Sequence, residues 1–198
     1  MTGVGARRPP SGAVCWPENR LAGRRALSTL GPVWIGEIDV RDDDLLRRYW
    51  EAGKEADGFH RPCPAFWSLQ AATVALRSTP EAAEQHPIAA IDDDLVVATS
   101  QVVFPLHDNT HLAYIEPLVR PAYRRRGIGT ALLQAAVEKV RNSGRTTVIA
   151  EVNMPLEGTS DDYDFMAKRR FETGIRNIHR VLERNAGSEP LARHLARC

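Results

Sequence analysis

The chain has 198 residues, enough for one domain with a substantial core and short extensions. Hydrophobic residues make up 43% and charged residues 26%, an ordinary balance for a soluble globular protein, and no apolar run approaches the ~20 residues of a membrane span. A formal net charge of +1 argues against a dedicated nucleic-acid binder.

The three cysteines, Cys15, Cys63 and Cys198, are scattered and form no Cys-x-x-Cys pair. Neither a zinc knuckle nor a disulfide framework follows, and reduced thiols in a cytoplasm are expected. Cys63, between two prolines, reads as structural. Arginine far outnumbers lysine, which reads as the coding bias of a GC-rich bacterium.

Residues 1–30 are rich in Arg, Pro, Gly and Ala, with Glu18 the one acid. Prolines break any amphipathic helix there, so a flexible extension is expected rather than a transit peptide. Residues 33–40 alternate as a first strand. Asp42, Asp43 and Asp44 suit a helix N-cap and first turn, and the helix should run to Asp57 and Gly58. Residues 59–67 form an aromatic, proline-rich connection. Ser68 can cap a second helix reaching about Ser78. Residues 87–91 and 95–104 read as a hairpin turned by Asp92, Asp93 and Asp94, since Asp tolerates left-handed geometry. Residues 105–110 are a turn. His107 and His111 read as loop or acceptor-site residues, not metal ligands.

Residues 111–119 read as a strand. Ile128, Leu132, Leu133, Ala136, Val137 and Val140 then recur at helical spacing, and Asn142, Ser143 and Gly144 supply a stop. Residues 146–152 read as a buried strand, 153–160 as a loop and 160–170 as a helix capped by Ser160. A final strand is expected over 175–182 and a short helix after Ser188.

Between the central strand and its helix lies a basic turn, Arg124-Arg125-Arg126-Gly127-Ile128-Gly129-Thr130. The first turn of a helix carries N–H groups with no intrahelical partner, at the positive end of the dipole. Glycines let a bulky anion approach, and arginine grips phosphate oxygens. The pattern describes a phosphate or pyrophosphate cradle. It is not a P-loop, because no Lys follows Gly129, nor a dinucleotide fingerprint, because Leu132 replaces the third small residue.

Arg-x-x-Gly-x-Gly on Arg124, Gly127 and Gly129, after the approach 118–123, resembles motif A of the GNAT superfamily of acetyl-CoA-dependent N-acetyltransferases. The resemblance implies an α/β (α+β) fold over residues 31–184: a mixed, mostly antiparallel sheet flanked by helices, with a splayed strand pair where acetyl-CoA enters. Residues 1–30 would be an extension and 185–198 a short tail similar to the start of a connection in tandem-domain relatives. It also implies transfer of an acetyl group from acetyl-CoA to an amine-bearing acceptor, with no metal, no nucleic acid and no membrane. A homodimer is compatible with it.

Carried over by position, Pro117, Leu118 and Val119 would meet the pantetheine arm and thioester at a bulge, and Arg124 through Thr130 the pyrophosphate. Asn153 would contact the CoA arm. Pro117 departs from the pattern because it has no N–H to donate, which passes that role to Leu118. Glu116 is the first candidate for general base, with Glu151 and Glu37 behind it. Met166 stands where a tyrosine acid is usual, so Tyr163, one turn earlier, is the substitute. Arg170 stands where the family has glycine. The loop 59–67 would line the acceptor pocket through Phe59, Phe66 and Trp67. Two alternatives stay open: a catalytically weak acyl-CoA-binding domain, and a nucleic-acid module using Arg124 to Arg126.

Overall fold

The computed structural model describes residues 33–61, 64–78 and 81–178. The chain begins with β1 (Trp34–Glu37) and α1 (Asp43–Gly58). The Asp42 carboxylate accepts from the N–H groups of Asp44 and Leu45, both at 3.0 Å, which fixes where α1 starts. Ser68 does the same for α2 (Leu69–Arg77) by accepting from Ala71 N–H at 3.1 Å. Then come β2 (Ala83–Asp92), β3 (Leu95–Pro105) and β4 (Leu112–Val119). Asp93 makes the β2–β3 turn with φ 52°, the left-handed geometry expected of it. A 3-10 turn, Pro121–Tyr123, leads to α3 (Ile128–Asn142), which Gly144 stops at φ 77°. β5 (Thr147–Ala150) and α4 (Asp161–Ala167), capped by Ser160, follow.

The strands form one five-stranded sheet in the order β1-β2-β3-β4-β5. All pairs are antiparallel except β4–β5, which is parallel. The sheet is therefore mixed and mostly antiparallel, with helices on both faces. Under α3, Leu132, Ala136 and Val140 close over Ala98, Val102, Ala113 and Ile115, all buried. Under α1, Leu46, Tyr49 and Ala52 close over Ala89 and Val96. Removing a side chain such as Leu132 from water stabilises the fold by about 1.5–3 kcal/mol.

Several expectations are corrected. β2 starts at Ala83, so Pro87 lies inside a strand. Its partner β1 ends at the pair Glu37–Ile88, and only the Pro87 carbonyl is used there, accepting from Ile38 N–H at 3.0 Å. Proline is tolerated because no ladder donor is required of it. β5 ends at Ala150, short of residue 152. Residues 175–178 do not form the expected final strand, and Ile175 and Ile178 are exposed. The rest of that strand, the helix after Ser188, the extension 1–30, the tail 185–198 and Cys63 lie outside the described residues.

Candidate active site

β4 and β5 pair from Leu112–Thr147 to Ile115–Ala150. β4 then runs on to Val119 while paired to β3 alone, so a wedge opens beside it. The β3–β4 register is unbroken from Ala98–Val119 to Val103–Tyr114, so the expected bulge in β4 is absent. The wedge comes instead from the early end of the β5 ladder.

The direction of each amide follows from one bond. Arg120 N–H donates to Val97 O at 3.0 Å. Antiparallel strands alternate, so the amides of Leu118 and Glu116 also turn toward β3. Residues 117 and 119 turn toward the wedge. Pro117 thus occupies a wedge-facing position without a donor and removes nothing from the β3 ladder. The wedge-facing amide in this stretch belongs to Val119, not to Leu118 as expected.

Side chains alternate as well. Ala113 and Ile115 join the layer under α3, which puts Glu116 on the opposite face, toward α1. Glu116 keeps an exposed flank. Burial pushes its carboxyl up, the charges of Asp57 and Glu151 push it further, and Arg61 opposes them; the result is about 7. Glu151 follows the last residue of β5, near enough for its charge to act on Glu116. Asp57 is buried in the last turn of α1 and pairs with Arg61. Tyr49 is buried on the same helix face, its hydroxyl held protonated by burial and by the charge of Glu116.

The wedge leads directly to the basic turn. Arg125 has φ 63° and Gly127 φ 86°, both left-handed. This winding turns successive amides outward: among the described residues, no acceptor meets the N–H groups of Arg125, Arg126, Gly127, Ile128 or Gly129. They form a concave donor set of the kind that holds anions. The arginines divide the labour. Arg124 donates from Nε to Val119 O at 3.2 Å and lies 4.8 Å over the Phe59 ring. Arg126 lies over Tyr123, and Arg125 is exposed. Gly129 also has a packing role. A Cβ there would come within 3.3 Å of Val119 Cγ2 and 3.4 Å of the Phe165 ring, so glycine lets α3 pack between β4 and α4.

The model of the acetyltransferase (GNAT) family matches residues 44–161, more than half of the chain and all of the elements just described from α1 through β5. The chain belongs to the GNAT acetyltransferase family. A tandem GNAT protein from the clavulanic acid biosynthesis pathway is similar in structure, with TM-score 0.60 and 26% identity over 69% of this chain and 43% of that one. This chain thus spans less than half the length of that tandem relative. An aminoglycoside acetyltransferase from an uncultured soil metagenomic sample has TM-score 0.55 at 18% identity, covering 76% of this chain and 97% of its own. Glucosamine-6-phosphate N-acetyltransferase from Arabidopsis thaliana has TM-score 0.54 at 11% identity, covering 77% of this chain and all of its own. These last two share the fold. No curated protein matches the sequence.

The remaining expected GNAT positions fall as follows. Arg170, at the family's glycine, adopts φ 66°. The backbone keeps the glycine conformation although the side chain has changed. Tyr163 lies in the first turn of α4, and its hydroxyl is 3.1 Å from Thr173 Oγ1. Asn153 O accepts from Ser160 Oγ at 2.8 Å, which ties the loop after β5 to the start of α4. Phe59 reaches Arg124, Phe66 packs on Gly53, and Trp67 O accepts from Trp50 Nε1 at 2.7 Å. Glu37 lies away from the wedge; burial works against its charge, but hydrogen bonds from Lys139 and His86 hold its carboxyl below the usual range. It borders a cleft of about 620 Å³ at the C-terminal end of α3, remote from the N-terminal turn. His107 meets Glu81 O at 2.7 Å and the His111 carbonyl accepts from Thr146 and Thr147, so both serve the loops around β4.

Sequence reasoning missed Tyr49, Asp57 and Arg61. The signal was present in the spacing: Tyr49, Gly53 and Asp57 recur every fourth residue on the buried face of α1. A buried Asp on such a face is rare enough to mark.

Proposed function

We propose that this chain transfers an acetyl group from acetyl-CoA to a primary amine. The observation that carries the reading is two sets of outward amides, Val119 in the wedge and residues 125–129 in the turn that enters α3. Amides 125–129, with Thr130 and the exposed Arg125, would hold the pyrophosphate. The edge of β4 would align the pantetheine arm, and Val119 N–H is the donor available to a carbonyl lying in the wedge. The family match over residues 44–161 falls inside the proposed catalytic unit, 31–184.

Glu116 would take the proton from the acceptor ammonium, directly or through water. A carboxyl poised near 7 is well matched to that task at neutral pH. The neutral amine then attacks the thioester carbonyl, the C–S bond breaks, the new amide nitrogen sheds its extra proton, and the departing thiolate takes up one. Tyr163 is the candidate donor on α4, its hydrogen available when Thr173 supplies the hydrogen of their contact.

A weakly catalytic acyl-CoA-binding domain is the second reading, favoured by Pro117, which has no N–H at a wedge-facing position. Calorimetric titration with acetyl-CoA tests the shared part, with Arg125→Glu and Gly127→Glu, each checked for folding by thermal melting, as controls. Micromolar binding abolished in the controls supports the cradle. Amine-dependent release of free thiol then separates enzyme from binding domain, and its absence across a broad amine panel rejects the enzyme.

A further inference from the structure

Arg169, just beyond α4, is absent from the site as drawn from the sequence. Its Nη2 donates to Thr130 Oγ1 in the first turn of α3. Its Nη1 donates to Phe165 O at 2.8 Å, and its guanidinium lies 3.6 Å from the centre of the Phe165 ring. That ring is the one pressed against Gly129. One side chain therefore ties the end of α4 to the turn where the free amides are displayed.

The chemistry of the contact is directional. Arginine only donates, whereas a threonine hydroxyl has one hydrogen and two lone pairs. With Arg169 feeding one lone pair, Thr130 cannot use that lone pair for solvent, and its own hydrogen is left to donate elsewhere. The free amides lie in the turn that immediately precedes it. A hydroxyl polarised by a cation is a stronger donor, and a charged acceptor makes the bond stronger still. The guanidinium also adds positive charge behind the helix N-terminus.

We infer that Arg169 is a positioning residue for the pyrophosphate cradle: it aims the Thr130 hydroxyl and adds positive charge behind it, without touching the reacting atoms. The inference rests on the cradle reading above and adds a residue to it.

The test is calorimetric titration of CoA into the full chain, its Arg169→Ala, Arg169→Lys and Thr130→Val variants, and the Arg169→Ala/Thr130→Val double variant. Turnover with acetyl-CoA is compared with turnover of an acetyl-pantetheine thioester, which lacks the pyrophosphate. Arg169→Ala should weaken CoA binding about tenfold, as expected for losing one charge-assisted hydrogen bond, and Arg169→Lys should restore part of it. The double variant should bind no more weakly than the weaker single variant, because both remove one device. KM for acetyl-CoA should rise while turnover of the short thioester stays unchanged. If wild type binds CoA and Arg169→Ala binds equally well, the inference fails alone. It also fails if the single effects multiply, or if short-thioester turnover falls in parallel. No CoA binding by the wild type would overturn the cradle and this inference together.

Discussion

Asp57 in the last turn of α1 acts on Glu116 in β4 through space: after burial itself, its negative charge is the largest influence lifting the Glu116 carboxyl to about 7. The rate should therefore rise with pH along a limb centred near 7 as Glu116 becomes a base. Asp57→Asn removes a like charge and leaves Arg61 unpaired, and both changes favour ionised Glu116. The acid limb of kcat/KM should move to lower pH, as read from a pH–rate profile. An unmoved limb would show that Glu116 is not the titrating base.

The same shift sets a stability signature. The folded protein binds the Glu116 proton more tightly than the unfolded chain does, with a carboxyl moved from an ordinary 4.5 to about 7. Stability is thus lost as pH rises through this window, and the full cost is present above it. Glu116→Gln should melt higher than wild type at pH 8, and the advantage should vanish near pH 4. Melting curves at the two pH values check it.

Arg170 has the left-handed backbone of a glycine while carrying a side chain, with φ 66°. Arg170→Gly should relieve a local strain of about 1 kcal/mol net of the entropy glycine adds. For a chain of this size that corresponds to about 2–4 °C in melting temperature. A lower melting temperature would mean the Arg170 side chain contributes more than its backbone costs.

Gly127 has φ 86° at the start of α3. Gly127→Ala should cost about 1–2 kcal/mol of stability by forcing a Cβ into left-handed geometry. Any relaxation out of that geometry rotates the amides of the turn, so CoA affinity should fall as well. Thermal melting paired with calorimetry separates the two effects.

Leu132 is fully buried between α3 and the sheet. Leu132→Ala should destabilise by about 2–5 kcal/mol through lost burial and a residual cavity. At a temperature where the variant is folded, its CoA affinity should match wild type, because Leu132 lies beyond the turn that displays the amides.

The parts of the fold legible in the sequence are those decided within a few residues. Asp42, Ser68 and Ser160 cap helices where their short side chains predict, because capping joins residues two or three apart. The periodic face of α3 reads directly as its buried face. What long-range packing decides was hidden. Gly129 looks like a place for a ligand to approach, yet Phe165, distant in sequence, presses on it. Asp57 looks like the end of a surface helix, yet the fold brings it under the influence of Glu116. Pro87 looks like a strand boundary because local rules cannot show that β1 stops one pair short of it.

Pro117 has a consequence beyond acyl transfer. A wedge beside β4 is also an exposed strand edge, and such edges recruit strands from other molecules into runaway association. Propagation along that edge needs a donor at every second residue, and at Pro117 the series is interrupted. A strand adding along this opening would therefore lose one ladder hydrogen bond at Pro117, which disfavours its pairing there relative to an edge with an unbroken series of donors.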